Sequence, residues 1–344
     1  MERIKAIVYG VGEMGRIITK LMVEKGVLIV GAVGHVSNIG KDVGEVAGLG
    51  YPLNVKISDD ADAVLGKQQA DIALVALFTE MERMYPHLKK CIENGLNVIT
   101  TSEEALYPWP TSPELAAKLD KLAREHGVTI TGSGSEDSLW VNLISVLTGS
   151  SHTVESVVMK TKFNADDYGP VVAEYWHVGS TREEFDTWLK ERPPETGYLR
   201  AVLECQIADL GLSVKSIWQT FEPVIDDVDI EAKRLGKRVK RGEVAGMVEV
   251  MEIETEQGIK FRGEMMGKVY RPDELDVAEG YVKGVPELWL SDKASMRMTT
   301  CTQIVNRIPD VINAAPGFIT VEKLPKLKYR AYPLHFYLHQ RPGN

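Results

Sequence analysis

Gly10-Val11-Gly12-Glu13-Met14-Gly15 has the spacing G-x-G-x-x-G. Six residues of that kind are weak evidence by themselves, but the apolar run Ile4–Tyr9 precedes them and a helical stripe follows at Met14, Ile17, Ile18, Leu21 and Met22. A buried strand, a tight turn and an amphipathic helix are the context in which such a loop holds a dinucleotide. Gly10 permits the turn, Gly12 lets the backbone approach a pyrophosphate, and Gly15 allows close helix–strand packing. The pyrophosphate then meets free N–H groups at Glu13 and Met14 and the positive end of the helix dipole. About 20 residues on, a carboxylate would bind the ribose 2′-hydroxyl of NAD. The chain instead reads Gly34-His35-Val36-Ser37-Asn38, with Lys41 close by. His35, Ser37 and Asn38 then bind the nucleotide, and NADP(H) is favoured or at least tolerated. The alternative is a surface-loop His35 in a chain that uses NAD(H) without the acid.

Further chemistry is expected where strands end. In open α/β sheets ligands bind outside the C-terminal ends of the strands. Those ends carry Thr79-Glu80, Thr101-Ser102-Glu103-Glu104 and Thr131-Gly132-Ser133-Gly134. Thr79 and Thr101 are candidate partners for the nicotinamide ribose. The Glu103-Glu104 pair is the acid/base candidate, since a carboxylate shielded by Leu106, Tyr107 and Trp109 has a raised pKa. The bland reading is that both glutamates cap the next turn. His177, in Tyr175-Trp176-His177, either lines a substrate pocket or is a packed histidine. Asn306 either holds the nicotinamide carboxamide or is an ordinary helix-surface residue. Cys91, Cys205 and Cys301 are scattered without ligand spacing, and no paired-histidine spacing indicates a metal site.

The positioning elements follow from periodicity. Strands are expected at 4–9, 27–33, 55–58, 71–78, 97–101 and 128–131, with helices at 13–25, 41–47, 82–94 and from Ser112-Pro113 to His126. That rhythm means βαβ units and a Rossmann-type, doubly wound parallel sheet. After a helix near 136–148, long alternating strands are expected at 153–163 and 244–270 with a turn at Gln257-Gly258, and helices at 181–190 and 199–210 between them. This is a second, α+β domain on a mostly antiparallel sheet. Residues 299–314 read as helix and return to the first domain. The expected organisation is 1–135 plus 299–344 for the dinucleotide and 136–298 for substrate and dimerisation. Val244, Met247, Val248, Val250, Met251 and Ile253 look too apolar for the helices to hide, which predicts a homodimer.

Forty basic and forty-nine acidic residues give a net charge of −9, against nucleic-acid or anionic-membrane binding. The basic run at 231–243 has no interleaved aromatics and reads as a solvated loop or strand edge. No apolar run reaches the roughly 18 residues of a membrane span. A soluble, cytoplasmic protein is the expectation.

YGVGEMGR, GKDVGEVAG at 40–48, TTSEEALYPW at 100–109, TGSGSEDSLWVNLI at 131–144 and NRIPDVINAAPGFITVEKLP at 306–325 resemble the native amine dehydrogenases. These are relatives of 2,4-diaminopentanoate dehydrogenase in the dihydrodipicolinate-reductase-like superfamily. The likeness spans essentially the whole chain. It implies NAD(P)H-dependent reductive amination of a ketone or aldehyde with ammonia, and the reverse deamination. It also places the catalytic glutamate at Glu104. Trp140, Tyr168, Trp176 and His177 are candidates for the wall of the substrate pocket, the alternative being plain core aromatics. Two other readings stay open: a diamino-acid dehydrogenase, with Lys160, Lys162 or Arg200 taking the carboxylate, and a catalytically silent NADP-binding sensor.

Overall fold

A computed structural model describes residues 2–35, 37–67, 70–192, 198–293 and 295–339. The chain divides into two compact units, Met1–Ser138 with Met298–Asn344, and Leu139–Arg297. In the first unit, β1 (Lys5–Tyr9), β2 (Leu28–Val33), β3 (Ile57–Ser58), β4 (Ile72–Val75), β5 (Asn97–Thr100) and β6 (Thr129–Gly132) are all parallel. They are joined by α1 (Glu13–Glu24), α2 (Val43–Val46), α3 (Ala61–Lys67), α4 (Met81–Glu93) and α5 (Pro113–His126). The order β3-β2-β1-β4-β5-β6 reverses direction at β1/β4, the switch point at which such sheets bind ligands. Ile18 and Met22 of α1 cover one face of the sheet with Val8 and Leu74, while Ile7 and Val75 pack under Met84 and Leu88 of α4. The expected strand 71–78 is shorter than read, because the chain leaves the sheet after Val75 to pass over Gly10, where a Cβ would lie 2.2 Å from the Ala76 carbonyl oxygen.

A π-helical turn, Glu136–Asn142, leads from β6 into α6 (Leu143–Thr148). The second unit continues with β7 (Thr153–Asn164), α7 (Pro170–Tyr175), α8 (Arg182–Glu191), α9 (Tyr198–Asp209), β8 (Val214–Ile225), the hairpin β9 (Ile230–Ala232) and β10 (Lys237–Val239), β11 (Val244–Thr255), β12 (Lys260–Lys268), β13 (Val277–Val285) and β14 (Leu288–Asp292). The basic run therefore lies on and around a small hairpin. β14-β13-β7-β12-β11-β8 is a six-stranded sheet in which only β7/β12 is parallel. The strands β8, β13 and β14 were not expected.

One expectation is overturned here. Val244, Met247, Val250, Met251 and Ile253 are buried within the single chain, and only Val248 is half-exposed. α9 packs on β11 and β12, with Leu199 and Leu203 over Gly263. These residues therefore give no reason for a dimer.

The chain closes with α10 (Met296–Asn306), α11 (Ile308–Asn313) and β15 (Gly317–Phe318), which adds to β6 as a seventh strand. The return is secured by charge. Arg307 has no exposed surface and donates through Nε and Nη2 to both oxygens of Asp137, each at 2.8 Å, 170 residues away in sequence. Gln303 adds a third donor at 3.2 Å. Removing one member of a buried pair leaves the other charge uncompensated, at about 3–5 kcal/mol. Arg307→Met is therefore expected to lower unfolding free energy in urea by that order. A loss below about 1 kcal/mol would contradict the role given to this pair.

Candidate active site

Three glycines of the first loop are required for different reasons. Gly10 has φ +106° and sits against Ala76, while a Cβ on Gly15 would fall 1.8 Å from the Gly10 carbonyl oxygen. Nothing lies within 4 Å of a Cβ at Gly12. The fold itself demands Gly10 and Gly15, whereas open space at Gly12 is what a pyrophosphate needs to reach the backbone. Gly12 is also the N-cap of α1, with no side-chain cap on the first-turn amides, so those donors are available to an anion. The loop thus fits a dinucleotide. Met14 packs into the core and Glu13 pairs with Arg16 on the next turn, so both contribute backbone there.

At the end of β2, His35 and Ser37 are exposed, and Asn38, at φ +67°, accepts from Lys41 Nζ at 3.0 Å. No carboxylate occupies positions 34–38. Thr79 is buried with its hydroxyl unpartnered, Thr101 is half-buried at the end of β5, and Asn306 is half-buried beside Arg307.

The carboxyls beyond β5 and β6 are not equivalent. Glu104 Oε2 accepts from the Met81 N–H at 2.6 Å, and its Oε1 accepts from the Ser112 hydroxyl at 2.5 Å. Met81 is the first residue of α4, whose own N-cap Glu80 makes no capping bond. Glu104 therefore caps that helix from a distance, and Ser112 turns its hydroxyl to Glu104 rather than to α5. Glu103 differs. Its Oε2 is sealed from solvent without a partner. Burial pushes its pKa up to about 8, with the negative neighbours Glu136 and Glu80 adding to the shift. Sequence reasoning missed Glu136, which opens the π-helical turn, and the Asp137–Arg307 pair beside it. A Glu-Asp pair just beyond the glycine-rich end of β6, and the single arginine set among the apolar positions of QIVNRIPDVI, were the available signals.

In the second unit the four expected pocket aromatics divide. Trp140 lies over Gly263, and Trp176 over Gly267. Tyr168 and Trp176 share edge contacts with Phe163 at 5.3 and 5.1 Å. His177, at φ +55°, packs instead on Trp188 at 4.3 Å and lines a ≈ 570 Å³ cavity with Glu174 and Lys237. Lys160, Lys162 and Arg200 are already paired with Glu264, Glu274 and Glu204.

Comparison with known proteins gives a consistent picture. Residues 139–331 match the 2,4-diaminopentanoate dehydrogenase C-terminal domain, and residues 4–132 match the dihydrodipicolinate reductase N-terminus. A 2,4-diaminopentanoate dehydrogenase of Acetoanaerobium sticklandii is 29% identical over 343 residues, covering 94% of each chain. The structure of an amine dehydrogenase from Mycobacterium smegmatis superposes with a TM-score of 0.93 at 44% identity, covering 96% of this chain and 98% of that one. GenD2 of gentamicin A biosynthesis, solved with NAD, shares the fold at 16% identity and a TM-score of 0.55, over 85% of this chain and 72% of that one.

The glycine loop generates a paired prediction. Gly12→Ala is expected to fold with unchanged Tm yet bind the dinucleotide about tenfold or more weakly. Gly15→Ala should cost stability of about 1–3 kcal/mol through overpacking. Calorimetry of both variants checks this, and equal effects on Tm would contradict it.

Proposed function

The chain belongs to the 2,4-diaminopentanoate dehydrogenase family, and on that premise we propose that it is an NAD(P)H-dependent amine dehydrogenase, joining a ketone or aldehyde to ammonia and running the reverse deamination. The single observation that carries the mechanism is the carboxyl oxygen of Glu103 that is sealed from solvent without a hydrogen-bond partner at the C-terminal end of the nucleotide-binding sheet, where burial raises its pKa. The bound nicotinamide supplies hydride to the reacting carbon. Gly12 and the first amides of α1 hold its pyrophosphate. His35, Ser37, Asn38 and Lys41 favour NADP(H) while tolerating NAD(H), since no carboxylate repels a 2′-phosphate. Thr79, Thr101 and Asn306 serve the nicotinamide half.

Within this reading the acid/base work moves from Glu104 to its neighbour. A carboxyl whose pKa lies near neutrality transfers protons most effectively, and burial pushes Glu103 up toward that range, to about 8. It takes a proton as nitrogen adds to the carbonyl carbon and gives one to the departing hydroxyl. Glu104 fixes the turn that presents Glu103, through Met81 and Ser112. The amine reading is favoured over the diamino-acid one because the three cations considered for a substrate carboxylate are already ion-paired. The three buried cysteines form no disulfide among the described residues, which suits a reducing cytoplasm, and no helix among the described residues is long and apolar enough to cross a membrane.

A homodimer remains part of the proposal on a different face from the one first expected. Cross-strand register aligns Trp289, Tyr281, Val158, Arg262, Glu252 and Trp218 in one row over all six strands. Trp218 and Trp289 at its ends are 55% and 62% exposed. Two aromatic ends around an Arg262–Glu252 ion pair make a self-complementary patch for a two-fold contact. Light scattering should give twice the 38.2 kDa chain mass, and Trp218→Glu with Trp289→Glu should give the monomer. A wild-type monomer at micromolar concentration would refute this.

The central test separates the two glutamates. Glu103→Gln is expected to lower turnover by about 10²–10⁴-fold with cofactor affinity within about twofold. Glu104→Gln should lose roughly 0.5–2 kcal/mol of stability, as lost helix caps do, with a smaller loss of turnover. The opposite ranking in stopped-flow and melting measurements would return the acid/base role to Glu104.

A further inference from the structure

One cluster has no part in the chemistry above, although it stands where α4 passes the ends of β1 and β4. Phe78 lies three residues beyond Val75, the last of β4, and the Arg83 guanidinium carbon sits 4.0 Å from the centre of its ring. Phe78 tilts against His87 at 5.8 Å, and His87 stands edge-on to Tyr9 at 5.3 Å. Arg83 and His87 are four residues apart, so they share a face of α4. Burial pushes the Tyr9 phenol up to about 12, so it keeps its proton and donates to His87 Nδ1 at 2.8 Å. Tyr9 directly precedes Gly10, the first glycine of the nucleotide loop. A run of contacts thus leads from that loop through Tyr9, His87 and Phe78 to one guanidinium.

The sheet fixes where that guanidinium stands. Tyr9 is register partner to Val33 of β2 on one side and to Val75 of β4 on the other. The Gly10 N–H donates to the Val33 carbonyl and the Ala76 N–H to the Tyr9 carbonyl, each at 2.8 Å. The loops that follow β2 and β4 therefore leave the sheet on either side of the glycine loop, about 10 Å apart at a strand spacing of about 4.8 Å. The loop after β2 carries His35, whose charge comes second to burial in lowering the pKa of His87, as expected of side chains that approach across β1.

A phosphate monoester carries about 1.5 to 2 negative charges near neutral pH, and the loop after β2 offers it little fixed positive charge. Ser37 and Asn38 are uncharged, and Lys41 Nζ already donates to Asn38 Oδ1 at 3.0 Å. On the β4 side the Arg83 side chain is 51% exposed, and its carboxylate neighbour Glu80 stands 3.7 Å away, beyond hydrogen-bond length. Stacked on Phe78 by one face, a guanidinium keeps its in-plane N–H donors for an oxyanion. We propose that Arg83 is the specificity-determining cation for the 2′-phosphate of NADP(H), so that cofactor choice is set from α4 and not by the loop after β2 alone. This deepens the dinucleotide reading and rests on it. Phe78 holds the guanidinium flat, and Tyr9 and His87 hold Phe78, which makes these three positioning residues.

Binding rather than turnover tests this. Arg83→Gln keeps a polar side chain and removes the charge. Calorimetry of the full chain should show its affinity for NADP⁺ lower by about 10- to 100-fold, with NAD⁺ within about threefold. The nicotinamide-free probes 2′,5′-ADP and 5′-AMP should divide in the same way. Arg83→Lys should restore the NADP⁺ affinity only in part, since a point charge lacks the planar fork. Phe78→Leu should lose part of the preference while every charge is kept. The wild-type preference for NADP⁺ should also weaken as salt rises, and that of Arg83→Gln should respond less. Equal weakening of both cofactors in Arg83→Gln would make the guanidinium a stacking wall only and overturn the proposal. No change in either, or a wild-type chain that prefers NAD⁺, would overturn it as well. A wild-type chain that binds neither nucleotide would overturn the dinucleotide reading itself, and this proposal with it.

Discussion

A carboxylate can leave water only where donors replace its hydration, and the strand ends of the first unit distribute those donors unequally. Glu104 receives a backbone amide and a hydroxyl, Asp137 receives a bidentate guanidinium, and Glu136 receives one hydroxyl. Glu103 is left with an oxygen that nothing donates to. Much of the architecture around the site supplies the first three groups. The starts of α4 and α5 meet at Glu104, and the returning helix brings Gln303 and Arg307 to Asp137. What remains is a carboxyl whose pKa burial pushes up to about 8.

The returning segment thereby gains a purpose beyond completing the sheet with β15. Arg307 holds both carboxylate oxygens of Asp137, one residue after Glu136. Thr300 orders the hydroxyl that stabilises Glu136. Residues far apart in the chain thus meet beyond β6, at Ser135 and Asp137. The glycine loop divides its labour in the same physical way, with two positions fixed by backbone contact and one left open for a ligand.

Local patterns were legible. The loop, the parallel βαβ rhythm and the long strands β7, β11 and β12 all follow from periodicity within about a dozen residues. The site was legible only to its neighbourhood. Which of two adjacent glutamates is free depends on donors 23 and 8 residues from Glu104, and the Asp137–Arg307 bond spans 170 residues. The apolar face of β11 was misjudged because alternation tells which residues share a face and not what covers them. Met247 and Met251 lie in the sheet–helix core, while the exposed row runs through Trp218 and Trp289. β8 lacks a clean alternation, with Ile217 and Trp218 adjacent and Pro223 inside it, which is why periodicity did not reveal it.

The central claim is that this nucleotide-binding unit performs ammonia-dependent chemistry at Glu103. Its most direct measurement is the rate of NADPH and NADH oxidation by the full chain across ketones and aldehydes, with and without ammonium, and with keto acids alongside. The account predicts oxidation that requires both an uncharged carbonyl compound and ammonium, with the amine identified as product. Tight cofactor binding without turnover, or carbonyl reduction that proceeds equally well without ammonium, would contradict it.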